Sequence, residues 1–155
     1  MSLKSEASHP LPKAGILDIS PYVPGKSAAR GAKIYKLSSN ESPFGASPQA
    51  VAAYSSKSNL LALYPDGSAA ELREAIAARY GLNAGSIVCG AGSDELLQLL
   101  AHAYLAPGDE AVYSQFGFLV YPIAIASNGA KAVVAPEVNH TTSVDEMLKC
   151  VTPRT

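Results

Sequence analysis

The sequence predicts an α/β fold with a parallel sheet. From residue 87 onward, short apolar segments alternate with longer segments in which apolar residues recur at helical spacing. The predicted elements follow in the order strand 87–89, helix 93–104, strand 110–113, helix 117–127, strand 131–135 and helix 143–150. Strands that alternate with helices usually pair in parallel, because each helix returns the chain to the same end of the sheet.

The amino-terminal part predicts an arm that precedes the α/β region. Residues 1–35 contain prolines and glycines that are incompatible with long regular structure. We therefore assign residues 1–35 to an arm and leader and residues 36–155 to a domain. A short strand is expected at 34–37, where the arm meets the domain.

Two helices are expected between the arm and the first predicted strand of the sheet. One covers residues 48–54 and has Pro48 close to its first turn, a position that proline favours. The second follows Ser68-Ala69-Ala70-Glu71, which has the pattern of a capping box, and ends at Gly81.

The junction between strand 87–89 and the next helix predicts an anion site. Gly90 and Gly92 lie in the turn, and the hydroxyl of Ser93 stands where a helix cap is expected. The first backbone N–H groups of a helix lack partners within it and lie at the positive end of its dipole, so phosphate is a suitable ligand. The glycines could also serve a purely steric purpose, and this alternative stays open.

Two common phosphate-binding motifs do not match this turn. The dinucleotide fingerprint requires a third glycine three residues after Gly92, where the sequence has Glu95. The mononucleotide loop requires a lysine at the helix start, whereas Ser93 and Asp94 follow the glycine. A phosphate bound here would therefore belong to a ligand other than a nicotinamide nucleotide or ATP.

Several uncommon strings occur in one order along the chain. They are Pro21-Tyr22-Val23-Pro24-Gly25-Lys26, Leu37-Ser38-Ser39-Asn40-Glu41-Ser42-Pro43-Phe44-Gly45, Tyr64-Pro65-Asp66-Gly67, Leu72-Arg73, Gly92-Ser93-Asp94-Glu95-Leu96 and Gly117-Phe118-Leu119-Val120-Tyr121. In this order the set resembles the amino-terminal part of the histidinol-phosphate aminotransferases, pyridoxal-phosphate enzymes of the aspartate aminotransferase fold. The similarity extends over roughly residues 18–155.

The resemblance implies an incomplete fold. The chain corresponds to the amino-terminal arm and the first part of the mostly parallel large-domain sheet of a fold-type-I pyridoxal-phosphate aminotransferase. The family's Schiff-base lysine, and the aspartate, asparagine and arginine of its site, lie later than Thr155. We therefore expect no catalytic residue in these 155 residues, which read as a fragment or a truncated product that is inactive alone.

The resemblance also implies which residues bind pyridoxal phosphate. Gly92, Ser93 and Asp94 match the turn that holds the cofactor phosphate, and Phe118 matches the aromatic ring that stacks on the pyridine. Tyr64 matches the tyrosine that reaches the cofactor phosphate of the other subunit, which implies a homodimer. Without the resemblance, Phe118 reads as core and Tyr64 as an aromatic residue beside a turn.

The implied amino donor is histidinol phosphate, and the implied acceptor is 2-oxoglutarate. Tyr22, Asn40 and Glu41 match segments that line the substrate pocket of the family, although loop residues of these types are more often merely solvated. Two alternatives stay open. The enzyme could act on aromatic amino acids or threonine phosphate, or the chain could be a noncatalytic homologue that pairs with a full-length partner.

Composition excludes other classes of function. The net charge of −1 and the scattered basic residues favour neither nucleic acid nor an anionic membrane as a partner. The first twelve residues lack the apolar core of a secretory signal, so we expect a cytoplasmic protein. Cys89 and Cys150 predict reduced thiols, and no ligand cluster suggests a metal.

Overall fold

The computed structural model describes residues 12–13, 15–21 and 39–155. Its helices are α1 (Pro48–Ser56), α2 (Ala70–Tyr80), α3 (Gly92–Tyr104), α4 (Val120–Ser127) and α5 (Val144–Lys149), and its strands are β1 (Glu110–Ser114) and β2 (Lys131–Ala135). Short 3-10 helices cover Ile16–Asp18, Ser58–Leu60 and Ala84–Ser86. The chain forms two compact units, one of Met1–Pro21 with Cys89–Thr155, the sheet unit, and one of Tyr22–Val88, the helical unit.

Two predictions about the fold fall outside the described residues. The strand expected at 34–37 lies there, and so does the predicted division between an arm and a domain at residue 35. Both stay predictions.

The helical unit contains both helices that the sequence predicts there. α1 begins after Ser47, whose hydroxyl accepts a hydrogen bond from the backbone N–H of Ala50 at 3.1 Å. α2 ends at Gly81 as predicted. The guanidinium of Arg73 donates to the carbonyl oxygen of Ala84 at 2.7 and 3.0 Å, and these bonds join α2 to the 3-10 helix that follows it.

The start of α2 differs from the predicted capping box. Ala69 is the N-cap residue and makes no side-chain cap bond. The carboxylate of Asp66 instead accepts hydrogen bonds from the N–H groups of Ser68 and Ala70, both at 2.9 Å. These backbone bonds lower the pKa of Asp66, the bond from Ala70 most of all. The predicted capping box was wrong because Asp66, two residues before Ser68, already accepts the N–H of Ser68 and that of Ala70.

The sheet unit confirms the parallel pairing. β1 and β2 pair in parallel from Glu110 opposite Lys131 to Ser114 opposite Ala135. The prediction of a strand at 87–89 is wrong, because these residues form no strand. Ile87 is extended (φ −108°, ψ 129°), but the described residues provide no neighbouring strand for this segment. An extended segment becomes a strand only when a second backbone pairs with it.

α3 and α4 run in the same direction along the sheet. α3 leads into β1 through five residues and α4 leads into β2 through three, and the two strands start side by side. Consistent with this, Nδ1 of His102 lies 3.3 Å from Oδ1 of Asn128, near the ends of the two helices. Both helices therefore begin at the carboxyl end of the sheet.

The described core is small and lies between α3 and α4. The buried side chains of Ala101, Val120 and Ala124 form it, with Leu97 and Leu105 packed against them. None of the described large side chains is fully buried. The unit therefore has the topology of an α/β domain with only part of the core that a complete domain contains.

A buried glutamate closes the amino end of the sheet. Glu110, 3% exposed, accepts hydrogen bonds from Arg154 (2.8 Å), Thr152 (2.6 Å) and Lys131 (3.0 Å). Its backbone N–H also donates to the carbonyl oxygen of Arg154 at 2.8 Å. These partners, Arg154 first among them, lower the pKa of Glu110 to about 2. Opposite charges and donors around one carboxylate stabilise its ionised form.

Candidate functional site

The turn before α3 has a conformation that requires glycine. Gly92 is the first residue of the helix and has φ +79°. Its N–H donates to the carbonyl oxygen of Gly90 at 2.8 Å, and the N–H of Ala91 donates to Oε2 of Glu95 at 2.6 Å. A Cβ on Gly90 would lie 2.7 Å from that same oxygen. The positive φ therefore accounts for Gly92, and a side chain at Gly90 would displace the Glu95 carboxylate from its bond to Ala91.

Ser93 does not cap α3, contrary to the prediction. The N-cap residue is Ala91, and no side chain makes a cap hydrogen bond to the first turn of the helix. The helix starts at Gly92, one residue earlier than expected. The backbone can begin the helix there because glycine adopts a left-handed conformation without strain. The hydroxyl of Ser93 therefore lies within the first turn.

The first turn of α3 presents free donors. Among the described residues, the N–H groups of Ser93 and Asp94 make no hydrogen bond. No atom comes within 4 Å of the Cβ position of Gly92, so the space above the turn is open. These donors and the dipole of a 13-residue helix suit an anion. The carboxylate of Glu95 already accepts one donor of this turn, the N–H of Ala91.

Phe118 lies at the same end of the sheet unit as this turn. It belongs to the loop between β1 and α4 and is 46% exposed. Its ring meets that of Tyr121 edge to face, with the centroids 6.1 Å apart. Because α3 and α4 both start at the carboxyl end of the sheet, the structure places Gly92 and Phe118 at that end. Ligands of parallel sheets bind outside the carboxyl ends of the strands.

The other predicted site residues lie apart from this turn in the sequence or outside the described residues. Tyr64, Asn40 and Glu41 belong to the helical unit, which is described by itself, and Tyr64 is 96% exposed there. Tyr22 is not among the described residues. The roles of all four stay predictions.

A polar cluster at the carboxyl end of the sheet was not predicted. The carboxylate of Glu137 accepts hydrogen bonds from the hydroxyl of Ser114 and, at 3.3 Å, from the N–H of Phe116. The Ser114 hydroxyl also lies 3.1 Å from that of Thr142. An acidic residue two positions after an apolar strand was the available signal, since such positions lie at the sheet end where sites form.

An apolar cleft of about 620 Å³ adjoins this cluster. Its walls come mainly from α3, β1 and α4, with Leu97, Tyr121 and Ile125 among them. Ser114, Glu137 and Thr142 form its polar part. The cleft thus exposes side chains of the kind that parallel sheets usually bury.

Metal and membrane sites are not evident in the described residues. No group of three or more histidine, cysteine, aspartate or glutamate side chains in 39–155 and the short described stretches before it could hold a metal ion. No helix in that part of the chain is long and apolar enough to cross a membrane. Cys89 and Cys150 are free thiols.

The family model for aminotransferases of class I and II matches residues 32–153. The chain belongs to this aminotransferase family. It is 63% identical over 150 residues to a histidinol-phosphate aminotransferase of Rhodopseudomonas palustris strain TIE-1, and 57% identical over the same length to one of Nitrobacter hamburgensis. Each alignment covers 96% of this chain and 41% of the relative. The aminotransferase chain thus spans about two fifths of the length of these relatives.

Solved aminotransferases share the fold. A histidinol-phosphate aminotransferase from Sinorhizobium meliloti, in complex with pyridoxal-5'-phosphate, superimposes with a TM-score of 0.69 at 25% identity. That match covers 72% of this chain and 30% of the other. An alanine aminotransferase from Pyrococcus furiosus has a TM-score of 0.61 at 26% identity, over 68% of this chain and 30% of the other. The predicted fold class, an incomplete α/β aminotransferase domain, is confirmed.

Proposed function

We propose that this chain is the amino-terminal part of a pyridoxal-phosphate-dependent aminotransferase that transfers an amino group from histidinol phosphate to 2-oxoglutarate in histidine biosynthesis. The observation that carries the proposal is the 63% identity to the Rhodopseudomonas palustris enzyme over nearly the whole chain. The likeness to an alanine aminotransferase, at 26% identity, supports the reaction class and is weaker evidence about the substrate. Histidinol phosphate is therefore favoured over alanine, aromatic amino acids and threonine phosphate.

The residues at the carboxyl end of the sheet fit pyridoxal phosphate. The turn of Gly92, Ser93 and Asp94 offers free N–H donors and open space for a phosphate. Phe118 offers a half-exposed flat ring at the same end. The cofactor, when bound, supplies an electron-withdrawing ring that eases removal of a proton from the α carbon of the substrate. The part of this chain is to bind and orient that cofactor.

The helical unit completes the proposal. Asn40, Glu41 and Tyr22 line the pocket for the amino donor, and Tyr64 donates its phenolic O–H to the cofactor phosphate of a second subunit. The active protein is then a cytoplasmic homodimer with two equivalent sites. The 96% exposure of Tyr64 is compatible with such a contact.

The proposal is tested with a fused enzyme, in which this chain is followed by the carboxyl-terminal remainder of the Rhodopseudomonas palustris relative. We expect turnover of histidinol phosphate with 2-oxoglutarate, with a kcat/KM at least about tenfold above those for alanine, phenylalanine and threonine phosphate, a ratio that specific pocket contacts readily provide. The whole enzyme of the relative is the positive control. The 155-residue chain alone should show no turnover above a blank.

Two results would contradict the proposal. If the fused enzyme folds and binds pyridoxal phosphate but prefers another amino donor, histidinol phosphate is wrong as the proposed substrate. A fused enzyme that folds and does not bind the cofactor, while the relative does, would favour the alternative of a noncatalytic partner subunit.

A further inference from the structure

The loop that carries Phe118 is held from one side by the segment that follows β2. The N–H of Gln115 donates to the carbonyl oxygen of Ala135 at 2.9 Å, which extends the ladder by one bond beyond the strands. Two residues later, the Glu137 carboxylate accepts from the Ser114 hydroxyl and from the N–H of Phe116. The N–H of Glu137 donates in turn to Oε1 of Gln115 at 3.4 Å. Glu137 thus contacts three consecutive residues, Ser114 at the end of β1 and Gln115 and Phe116 in the loop.

The other side of the loop is held by α4, since the N–H of Tyr121 donates to the carbonyl oxygen of Phe118 at 3.0 Å. The turn itself is closed by the N–H of Gly117, which donates to the carbonyl oxygen of Ser114 at 2.8 Å. The Tyr121 ring then meets the Phe118 ring edge to face. Phe118 therefore stands between two anchors, Glu137 on the side of β2 and Tyr121 on the side of α4.

The carboxylate is suited to its position. Both groups that reach it are donors, a hydroxyl and a backbone N–H, and they converge on the same oxygen, Oε1. An ionised carboxylate accepts several hydrogen bonds and donates none, and bonds to a charged acceptor are stronger than neutral ones. Glu137 is half-buried at the polar end of the cleft, so water competes with these bonds only in part.

We propose that Glu137 is a positioning residue: it holds the end of β1 and the start of the following loop, residues 114–116, in the conformation that presents the Phe118 ring to the cofactor. This inference rests on the proposed function, because it assigns the partner of Phe118 as the pyridine ring of pyridoxal phosphate. Glu137 itself acts through the loop and contacts neither cofactor nor substrate. The Phe116 ring, 5.3 Å from that of His140, adds a second contact between the same two segments.

A double-mutant cycle in the fused enzyme tests the proposal. The Glu137→Ala variant should bind pyridoxal phosphate about tenfold more weakly, the order expected when hydrogen bonds to a charged acceptor are lost. The visible circular dichroism of the bound cofactor should fall as well, because the ring environment becomes less ordered. The Phe118→Ala variant should show a comparable loss. The double variant should bind no more weakly than Phe118→Ala alone, since Glu137 acts only through that ring.

Two further variants separate positioning from charge and from folding. Glu137→Gln keeps the accepting oxygen and should restore affinity to within about threefold of the parent, because a neutral bond is only about half as strong. The matched control is Glu146→Ala, which removes the same charge from α5, where the carboxylate pairs with Lys149. It should leave cofactor affinity unchanged. Hydrogen exchange of the peptide 114–119 in the cofactor-free protein should accelerate in Glu137→Ala and stay unchanged in the control.

The outcomes distinguish this inference from the proposed function. If the parent fused enzyme folds and fails to bind pyridoxal phosphate, the proposed function and the inference fall together. If the parent binds it and Glu137→Ala binds equally well, the positioning role alone is wrong. Additive losses in the double variant, or a Glu137→Gln variant as weak as Glu137→Ala, would also overturn it, since they indicate an independent or purely electrostatic effect.

Discussion

Single residues shape the proposed phosphate site mainly through the backbone. Gly92 has φ +79° and open space above it, whereas the side chain of Ser93 makes no cap bond. The donors available to an anion are the N–H groups of Ser93 and Asp94, which any residue at those positions would supply. Shape at Gly92 should therefore matter more than the hydroxyl at Ser93.

Substitutions in the fused enzyme test this ranking. Ser93→Ala should weaken pyridoxal-phosphate affinity by less than about tenfold, because one neutral hydrogen bond is worth about 0.5–1.5 kcal/mol. Gly92→Val should weaken it by more, since a side chain there strains the backbone and fills the open space. Equilibrium titration of the cofactor measures both.

The matched control for the glycine is Gly108→Val. Gly108 also has positive φ (+103°) and no atom within 4 Å of its Cβ position, but it precedes the amino end of β1. Its replacement should lower stability without changing cofactor affinity. Equal losses of affinity at Gly92 and Gly108 would show that strain alone is responsible and would remove the turn from the proposed site.

At the scale of elements, two carboxylates determine how segments start and join. Asp66 accepts the N–H of Ala70, the first residue of α2, and that of Ser68 just before it. Glu110 connects β1 to β2 and to residues 152–154. Both carry a lowered pKa because donors surround the ionised form. Their contributions to stability therefore depend on pH.

Asp66 and Ser68, both just before α2, can be compared directly as caps of that helix. Asp66→Ala should reduce the helix content and the melting temperature more than Ser68→Ala, because the Ser68 hydroxyl bonds only to the Asp66 carboxylate, whereas Asp66 accepts two backbone N–H groups. Circular dichroism measures both quantities. A larger loss of helix content and melting temperature in Ser68→Ala would support the capping box that the sequence predicts.

The Glu110 cluster predicts acid sensitivity. The folded pKa is about 2 and the ordinary value is 4.5, so the folded state favours the ionised form. The stabilisation is present above pH 4.5 and is lost as the pH falls toward 2. Denaturant midpoints of the fused enzyme should therefore decrease from pH 6 to pH 3 more steeply than those of its Glu110→Gln variant. The Glu146→Gln variant is the control and should follow the parent; parallel curves for Glu110→Gln would contradict the prediction.

For the whole molecule, the main feature is apolar surface that the described residues leave uncovered. The cleft beside β1 is open, and large side chains such as Leu100, Tyr104 and Leu119 are more than half exposed. Apolar surface of this extent usually marks a contact with other protein. β1 also has β2 as its single neighbour among the described strands, which leaves backbone groups on its other edge.

The isolated 155-residue chain should therefore associate. We expect light scattering after size exclusion to give species larger than a 16.0 kDa monomer, with strong binding of a hydrophobic dye. The fused enzyme, in which the remainder can cover this surface, should form a uniform dimer and bind little dye. A monomeric chain that unfolds in one sharp transition would contradict this expectation.

Local patterns in the sequence were sufficient for most of the elements. Helical spacing predicts α3 and α5 to within one residue at each end, and the two apolar segments that became β1 and β2 pair in parallel as expected. The resemblance to the aminotransferases, confirmed by the family match, also came from strings of neighbouring residues. These features depend on residues close together in the chain, so they could be predicted without knowledge of the tertiary structure.

Contacts between distant residues were decided only by the tertiary structure. The segment at 87–89 has the composition of a strand but has no paired neighbour in the part of the chain that the structure describes. Glu137 meets the loop of Phe118 across 21 residues of sequence. Glu110 likewise meets Arg154 across 44. Strand pairing and buried hydrogen bonds require two segments to meet in space, and periodicity within one segment carries no information about its partner.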